Sequence, residues 1–328
     1  FMLIAEPRLL GHFLSQLADL MIEKCVDMVD SDFRKTYGDI PDSRFAIIAL
    51  GKLGSCEMTF SSDIDLVFVY DVPDFNAIST GEKGFSASVY YNRLSQRLLN
   101  ALSAMGREGR LYEVDTRLRP SGAQGLMAVS TDALKHYFSE LAWTFEFMAF
   151  TKARVVYGEA QLRLDLEDFI ISQLTRERDP VKLKGDVVEM RERIDKEHHT
   201  ENPWDIKQVR GGLMDIDFIA QYLLLLHAAK TTAVRTGSAG EILSWLQRSH
   251  KLDAQIAMQL KEADQFLGQI FNMLRLCCDR RFDEQEAQQG LKKLLVECVR
   301  EDSFESLKER LIQVEQSVYR VYTSLLAS

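Results

Sequence analysis

The stretch "GKLGSCEMTFSSDIDLVFVYD" (residues 51–71) decides the fold. It begins with a glycine-containing turn and ends in an apolar segment, and a second apolar segment, "FAIIAL" at 45–50, directly precedes it. Short apolar runs bounded by turn residues are typical of buried β-strands. The pattern therefore predicts strands at 45–50 and 63–70, with a turn that begins at Gly51.

Two carboxylates stand at the start of the second predicted strand. Successive side chains alternate between the faces of a strand, so Asp63 and Asp65 share one face. Two like charges this close repel each other, and a hard divalent cation such as Mg²⁺ prefers oxygen ligands. The pair indicates a metal site, although a loop ending at Asp63 and a salt bridge from Asp65 would also explain it.

The turn before this strand suits a phosphate group. Glycines at 51 and 54 let the backbone approach a ligand closely. Gly54 and Ser55 can offer amides and a hydroxyl to phosphate oxygens, and Lys52 adds positive charge. Glycine-serine pairs are common in ordinary turns, but here seven residues separate the pair from Asp-x-Asp on an apolar strand. The combination predicts a nucleotide site, to which we also assign Ser62.

A third segment, "LYEVDTRLRP" at 111–120, alternates like a strand. In a strand, Asp115, Arg117 and Arg119 would share one face. A carboxylate beside two guanidinium groups suits a third metal ligand flanked by phosphate-binding cations. An ion-pair ladder on an exposed strand would give the same pattern.

Helical periodicity dominates elsewhere. From Leu9 to Met28, apolar residues at 10, 13, 17 and 20 predict an amphipathic helix. Residues 83–105 read as a helix, "GLMAVS" at 125–130 as a strand, and Ser130 or Thr131 as the cap of the helix that follows. Beyond about residue 158 the strand signals stop, and helices are predicted at 160–174, 181–197, 213–229, 239–248, 252–280 and 302–327. The last two carry apolar residues at steps of three and four, which is typical of bundle cores.

Composition excludes several classes of protein. The 328 residues carry a net charge of −9, which argues against nucleic-acid binding because that needs a basic footprint. No apolar run approaches the ~20 residues of a membrane span, so no membrane partner is expected. Five cysteines without C-x-x-C spacing favour reduced thiols in a cytoplasmic protein. Because the chain begins with Phe1 rather than Met, we expect a fragment of a longer protein.

Four strings resemble glutamine-synthetase adenylyltransferase, a bifunctional family also called adenylyl-removing enzyme. They are "ALGKLGSCEMTFSSDIDLVFVYD", "YEVDTRLRPSGAQGLMAVS", "AWTFEFMAFTKARVVYG" and "RGGLMDIDFIAQYLLL". The resemblance covers about residues 43–230, and the family is similar to other nucleotidyltransferases such as DNA polymerase beta. "RLRPSG" and "AWTFE…ARVVYG" look more like the C-terminal, adenylylating half than the N-terminal half, which removes AMP by phosphorolysis.

The resemblance implies an α+β fold. A polymerase-beta-like nucleotidyltransferase domain with a mixed sheet and an N-terminal helix would span residues 1–158, and an all-helical bundle domain would span 159–328. The implied reaction transfers AMP from ATP to a tyrosine hydroxyl of glutamine synthetase and releases pyrophosphate, which regulates nitrogen assimilation.

The resemblance also implies residue roles. Asp63 and Asp65 would bridge two Mg²⁺ ions, and Asp115 would complete one of them and help to activate the tyrosine. Gly54 and Ser55 would hold the β- and γ-phosphates. The remaining candidates for the nucleotide are Lys52, Ser62, Arg117 and Arg119, and the two arginines are assigned on strand geometry alone.

The implied partners are glutamine synthetase as substrate, the N-terminal half of a longer enzyme, and a PII-type signal protein and glutamine as regulators. Three alternatives stay open at this point. The chain could be the deadenylylating half, could transfer uridylyl groups to a small signal protein, or could be a catalytically silent module whose helical half binds partners. Three carboxylates that are costly to keep together argue against the silent module.

Overall fold

The computed structural model describes residues 7–107, 109–231, 234–278 and 281–327, which form two compact units. The sheet unit contains Phe13–Met58 and Ser62–Gln173. The helical unit contains the described residues up to His12, residues 59–61 and those from Leu174 onward. This confirms the predicted α+β class, while the predicted domain division at residue 158 stays a prediction.

A mixed sheet is the centre of the sheet unit. Its strands are β1 (Arg44–Leu50), β2 (Ile64–Asp71), β5 (Val114–Asp115), β6 (Ala128–Ser130) and β7 (Arg154–Gly158), and a separate hairpin joins β3 (Met105–Gly106) to β4 (Gly109–Arg110). Strand β1 pairs antiparallel with both β2 and β7. Strands β5 and β6 pair in parallel with successive parts of β2. The strands predicted at 45–50 and 63–70 are confirmed within one residue.

Six helices accompany this sheet: α1 (Pro7–Tyr37), α2 (Gly51–Gly54), α3 (Ala87–Leu102), α4 (Thr131–Glu140), α5 (Thr144–Phe150) and α6 (Ala160–Leu174). Helix α6 has the predicted bounds. The predicted cap is confirmed at Ser130, whose hydroxyl accepts the amide of Ala133 at 3.2 Å. Buried side chains of α1 and α3 pack against Ile64, Leu66 and Phe68 of β2. Alternation therefore directs Asp65 to the other face of the sheet.

Apart from Leu10, the apolar residues that predict α1 do not lie on the face that packs. Phe13 and Leu17 are about half exposed, whereas Ala18, Ile22 and Phe33 are buried. Each residue turns an α-helix by about 100°, so the packed face lies one residue further along the chain than the predicted stripe. Small residues such as Ala18 let the helix approach the sheet. The predicted stripe used only large apolar side chains and therefore left Ala18 out.

The strand predicted over residues 111–120 is wrong beyond Asp115. Only Val114 and Asp115 pair with β2, and the chain then turns. The backbone amide of Arg117 donates to Oδ1 of Asp115 at 2.8 Å, which is the hydrogen bond of an Asx turn. The side chain of Asp115 thus ends its own strand, and residues 115, 117 and 119 do not form one extended face.

The helical unit contains α7 (Pro180–His198), α8 (Leu213–His227), α9 (Ala239–Arg248), α10 (Ala254–Cys277), α11 (Gln289–Val299) and α12 (Phe304–Tyr322). Helix α8 packs against α7, α9, α10 and α12 and is largely buried. The predicted stripes of α10 and α12 form core, with Leu260, Leu267, Leu307 and Leu311 fully buried. The pattern did not predict α11. In the part of the chain that the structure describes, every helix is too short or too polar to cross a bilayer.

Candidate metal and nucleotide site

Three carboxylates converge at the start of β2. Asp63 immediately precedes the strand, and Asp65 lies beside Asp115 of β5 in the parallel pair. One oxygen from each carboxylate lies within 4.8 Å of the other two. Asp63 is exposed and the other two are half-buried, so a cation can reach them from solvent. The structure therefore brings together the three residues that the sequence predicted, and three clustered oxygen donors fit a hard divalent cation such as Mg²⁺.

Arg117 is the immediate partner of Asp115. Its Nε lies 2.8 Å from Oδ2 and its Nη2 lies 2.5 Å from the same oxygen. Burial alone would raise the pKa of Asp115, but the hydrogen bonds from Arg117 outweigh burial and hold the pKa below its usual value. Asp115 is therefore a carboxylate at neutral pH, as a metal ligand must be. The Arg117 side chain is itself 79% exposed and accessible to a bound anion.

Arg119 has a different environment from the one that a shared strand face implies. Its guanidinium is buried and donates to the backbone carbonyls of residues 116, 123, 125 and 126. These hydrogen bonds join both ends of the loop between β5 and β6 to the guanidinium of Arg119. The guanidinium makes its hydrogen bonds within this loop, and its charge contributes to the lowered pKa of Asp115. Its contact with a triphosphate stays a prediction.

The hydrogen-bond donors of the glycine turn bond to acceptors within the turn itself, which the sequence does not predict. Three consecutive amides, at residues 55–57, donate to the carbonyls of residues 51–53. The hydroxyl of Ser55 lies 2.6 Å from Oε2 of Glu57 and 3.0 Å from the carbonyl oxygen of Gly51. These donors are committed within the turn, so the contacts predicted for Gly54 and Ser55 with phosphates stay predictions.

A partly buried ion pair between Lys152 and Glu57 contacts this turn. Nζ of Lys152 lies 3.1 Å from Oε2 of Glu57, the same oxygen that accepts the Ser55 hydroxyl. Burial alone would raise the pKa of Glu57, but Lys152 and Ser55 outweigh it and the pKa is lowered. The sequence did not predict this pair, since nothing in the local pattern indicates that Lys152 and Glu57 meet.

Gly51 and Gly54 serve packing inside the site. At Gly54, an added Cβ would lie 1.9 Å from the carbonyl oxygen of Lys152, so the turn packs directly on that backbone. At Gly51, φ is +54° and an added Cβ would lie 2.1 Å from Oδ2 of Asp65. The close approach predicted for Gly51 is thus an approach to one of the carboxylates, and the glycine leaves the space that this carboxylate occupies.

We expect Gly51→Ala to weaken Mn²⁺ binding by the three carboxylates about tenfold or more, because the methyl group displaces Asp65 and positioning groups commonly contribute this much to metal affinity. Isothermal titration calorimetry with Mn²⁺ measures the effect. The matched control is Gly185→Ala in α7, where an added Cβ meets no atom within 4 Å. Equal Mn²⁺ affinity in wild type and Gly51→Ala would contradict the positioning role.

A carboxylate in the first turn of a helix that follows paired glycines can serve the helix start or a ligand. Asp215 of α8 is such a residue, and it is fully buried in the helical unit. Its Oδ1 accepts Nε of Arg191 at 2.5 Å, and its Oδ2 accepts the amide of Gly211 at 2.6 Å. Arg191 is equally buried and also donates to the carbonyl of Gln208 at 3.0 Å. The pair fixes the glycine loop ahead of α8, which favours the structural role.

Comparison with known proteins gives two family matches. The family described as glutamate-ammonia ligase adenylyltransferase matches residues 5–168, half of the chain, which includes all three carboxylates. The family described as GlnD PII-uridylyltransferase matches residues 182–326.

Curated relatives match along nearly the whole chain. Proteins named bifunctional glutamine synthetase adenylyltransferase/adenylyl-removing enzyme are 36% identical over 316 residues in Bradyrhizobium sp. (strain BTAi1) and 40% identical over 283 residues in Agrobacterium fabrum (strain C58). The matches cover 96% and 86% of this chain but only 32% and 28% of the relatives. The chain therefore spans about a third of the length of the curated relatives it matches.

Proposed function

Because the chain belongs to the glutamate-ammonia ligase adenylyltransferase family, we propose that it transfers AMP from ATP to a tyrosine hydroxyl of glutamine synthetase and releases pyrophosphate. The observation that carries this proposal is the convergence of Asp63, Asp65 and Asp115, with one oxygen of each within 4.8 Å of the others. Phosphoryl and nucleotidyl transfer depend mainly on positioning and charge neutralisation, and this cluster suits both. The names of the relatives support the choice of glutamine synthetase.

Each carboxylate has a proposed role. Asp63, Asp65 and Asp115 would hold Mg²⁺, which when bound supplies charge neutralisation for the phosphates. A tyrosine hydroxyl with a pKa near 10 must lose its proton during the attack on the α-phosphorus. Asp115 would orient this hydroxyl and accept the proton, and its partner Arg117 keeps it ionised for that task.

The proposed nucleotide contacts start from Arg117, whose side chain is exposed. Arg117 and Lys52 would neutralise the triphosphate, and Ser62 would donate a hydrogen bond beside Asp63. We assign Gly54 and Ser55 the task of shaping the turn, since their neighbouring donors are used inside it. Arg119 would act indirectly by holding the loop that carries Arg117.

The test is label transfer. The chain is incubated with Mg²⁺, α-labelled ATP and glutamine synthetase, beside the double variant Asp63→Asn/Asp65→Asn. We expect label on the synthetase with wild type and none above background with the variant. Absence of transfer by wild type would contradict the proposed function, and equal transfer by the variant would contradict the role of the carboxylates.

A second candidate is removal of AMP by phosphorolysis, which the "adenylyl-removing" part of the relatives' name supports. Pre-adenylylated synthetase and inorganic phosphate, tested in the same session, distinguish it: release of labelled ADP without any forward transfer would favour this candidate.

Regulation by a PII-type signal protein and by glutamine, and cooperation with the rest of a longer enzyme, are proposed on family membership. The match of residues 182–326 to PII-uridylyltransferase supports the PII part.

A further inference from the structure

Helix α1 carries a second apolar face, which points away from the sheet. Five large apolar side chains along it are between 47% and 62% exposed: Leu9, Phe13, Leu17, Leu20 and Met28. Because each residue turns an α-helix by about 100°, these five side chains lie within one arc of about 100° along the helix. We call these five residues the outer stripe.

The opposite face of α1 holds the helix firmly on the sheet unit. Ala18, Ile22 and Phe33 are buried in the core that includes β2. A surface helix usually has one apolar face and one polar face, whereas a helix that is apolar on two sides is usually buried on both. The outer stripe is therefore a continuous apolar surface on a fixed support, which lowers the entropic cost of binding a partner.

The spacing of the outer stripe reads the same in both directions along the helix. Together with Lys24, which lies in the same arc, its members are separated by steps of four, four, three, four and four residues. The midpoint lies between residues 18 and 19. Two copies of α1 placed side by side and antiparallel about this midpoint would bring Leu17 against Leu20 and Leu9 against Met28. A two-fold homodimer requires such a self-complementary surface.

The same arrangement gives Lys24 a favourable neighbour. It would bring Lys24 against Phe13 of the second copy, because both lie equally far from the midpoint. The aliphatic part of a lysine packs on apolar surface, and its ammonium group is attracted to the face of an aromatic ring. The single charged residue in the arc is thus compatible with the antiparallel contact.

Charges along the solvent edge of the outer stripe also favour antiparallel pairing. Arg8 and His12 lie exposed at one end of this edge, and Glu23 and Asp27 lie exposed at the other end. Arg8 and the two carboxylates keep more than half of their side-chain surface exposed, although each has an ion pair within the chain. Antiparallel pairing would bring Arg8 to Asp27 and His12 to Glu23 of the second copy. Parallel pairing would bring carboxylates together, and such like-charge contacts select against a pairing.

We propose that the outer stripe of α1 binds a second copy of this chain and forms an antiparallel two-fold homodimer. The symmetric spacing and the opposite charges at the two ends identify the occupant, because a different protein would have no need to match either feature. The proposal goes beyond the proposed function and does not depend on it.

The first test is the oligomeric state, measured by sedimentation over a series of concentrations. We expect the wild type to sediment at twice the chain mass of 37.5 kDa at about 100 µM, where a micromolar homodimer is almost fully formed. Leu17→Glu should raise the dissociation constant by about 100-fold or more, because each dimer would then bury two glutamates in an apolar contact. The matched control is Leu164→Glu on α6, a 55% exposed leucine outside the stripe, which should dimerise like the wild type. Circular dichroism checks that each variant is folded, and Leu20→Glu is the second variant of the stripe.

The second test is the orientation of the two helices, measured by disulfide cross-linking. We expect a mixture of Leu9→Cys and Met28→Cys chains to cross-link under mild oxidation, because antiparallel pairing brings these two positions together. Each variant alone should cross-link no more than the wild type, whose exposed Cys277 sets the background.

Three outcomes would overturn the proposal. A wild type that is monomeric at about 100 µM would leave the outer stripe to another segment, such as the additional chain of the longer relatives. A dimer that Leu17→Glu and Leu20→Glu leave unchanged would use a different surface. Cross-linking of Leu9→Cys or Met28→Cys with itself, rather than in the mixture, would contradict the antiparallel arrangement.

Discussion

Replacing Asp65 by asparagine is expected to lower the proposed AMP transfer by roughly 10³-fold, because Asp65 is proposed as a charged ligand of Mg²⁺ and its loss would remove much of the charge neutralisation that such a reaction needs. Asp65 is the central member of the cluster: it pairs with Asp115 across the strands and fills the space left by Gly51. Initial rates of label transfer from α-labelled ATP to glutamine synthetase measure the effect.

The same substitution should raise the melting temperature of the protein in the absence of divalent cations. Asp63, Asp65 and Asp115 repel one another when no cation is bound, and asparagine removes one of the three charges at nearly constant volume. Activity and stability thus change in opposite directions, as is common at sites that function requires to be strained. A loss of activity accompanied by a loss of stability would indicate misfolding instead.

The matched control is Asp71→Asn at the other end of β2. This aspartate binds Arg44 at 2.6 Å and the hydroxyl of Thr131 at 2.6 Å, well away from the start of the strand. We expect it to keep transfer within a few-fold of wild type while losing some stability, since its partners are left without an ionised acceptor. Equal transfer rates in Asp65→Asn and wild type would contradict the assignment of the site.

Asp215→Ala is expected to lower the free energy of unfolding of the helical unit by about 3–5 kcal/mol, the usual cost of breaking a buried ion pair. The change leaves Arg191 charged and fully buried without its 2.5 Å partner, and it frees the amide of Gly211 in the loop ahead of α8. Urea unfolding followed by circular dichroism measures the midpoint and slope of the transition.

A double variant separates the ion pair from simple loss of packing. Arg191→Met/Asp215→Leu removes both charges and keeps apolar volume, so it should recover at least half of the stability lost in Asp215→Ala. Exposed Asp74→Ala is the control and should change stability little. If the double variant is no more stable than Asp215→Ala, the buried charge on Arg191 is not the cause of the loss.

The placement of Asp65 was predictable because it depends on the alternation of side chains along one strand, which is a local property of the sequence. The alternation of "DIDLVFVY" sets Asp65 opposite the core residues Ile64 and Leu66, and the structure has this arrangement. The meeting of Asp65 with Asp115 needs long-range pairing of β2 and β5, which residue spacing alone does not contain. The resemblance to a known family implied that Asp115 joins Asp63 and Asp65 in one metal site.

The structure differs from the strand expected over residues 111–120, and it adds contacts that a sequence pattern does not contain. Asp115 ends its strand by accepting a hydrogen bond from the amide of Arg117. The side chains that follow therefore do not alternate between the two faces of a strand. Arg119 is turned inward by backbone carbonyls that become available only in the folded loop. The Glu57–Lys152 pair joins residues far apart in the chain, and Glu57 also accepts the hydroxyl of Ser55 in the glycine turn.

The most direct test of the central claim is the binding of a non-hydrolysable ATP analogue by calorimetry, with and without Mg²⁺, to wild type and to Asp63→Asn/Asp65→Asn. If the three carboxylates form the metal site of a nucleotidyltransferase, wild type binds the analogue only with Mg²⁺ and the variant loses at least tenfold in affinity. Binding that is independent of Mg²⁺, or equally strong in the variant, would contradict the account.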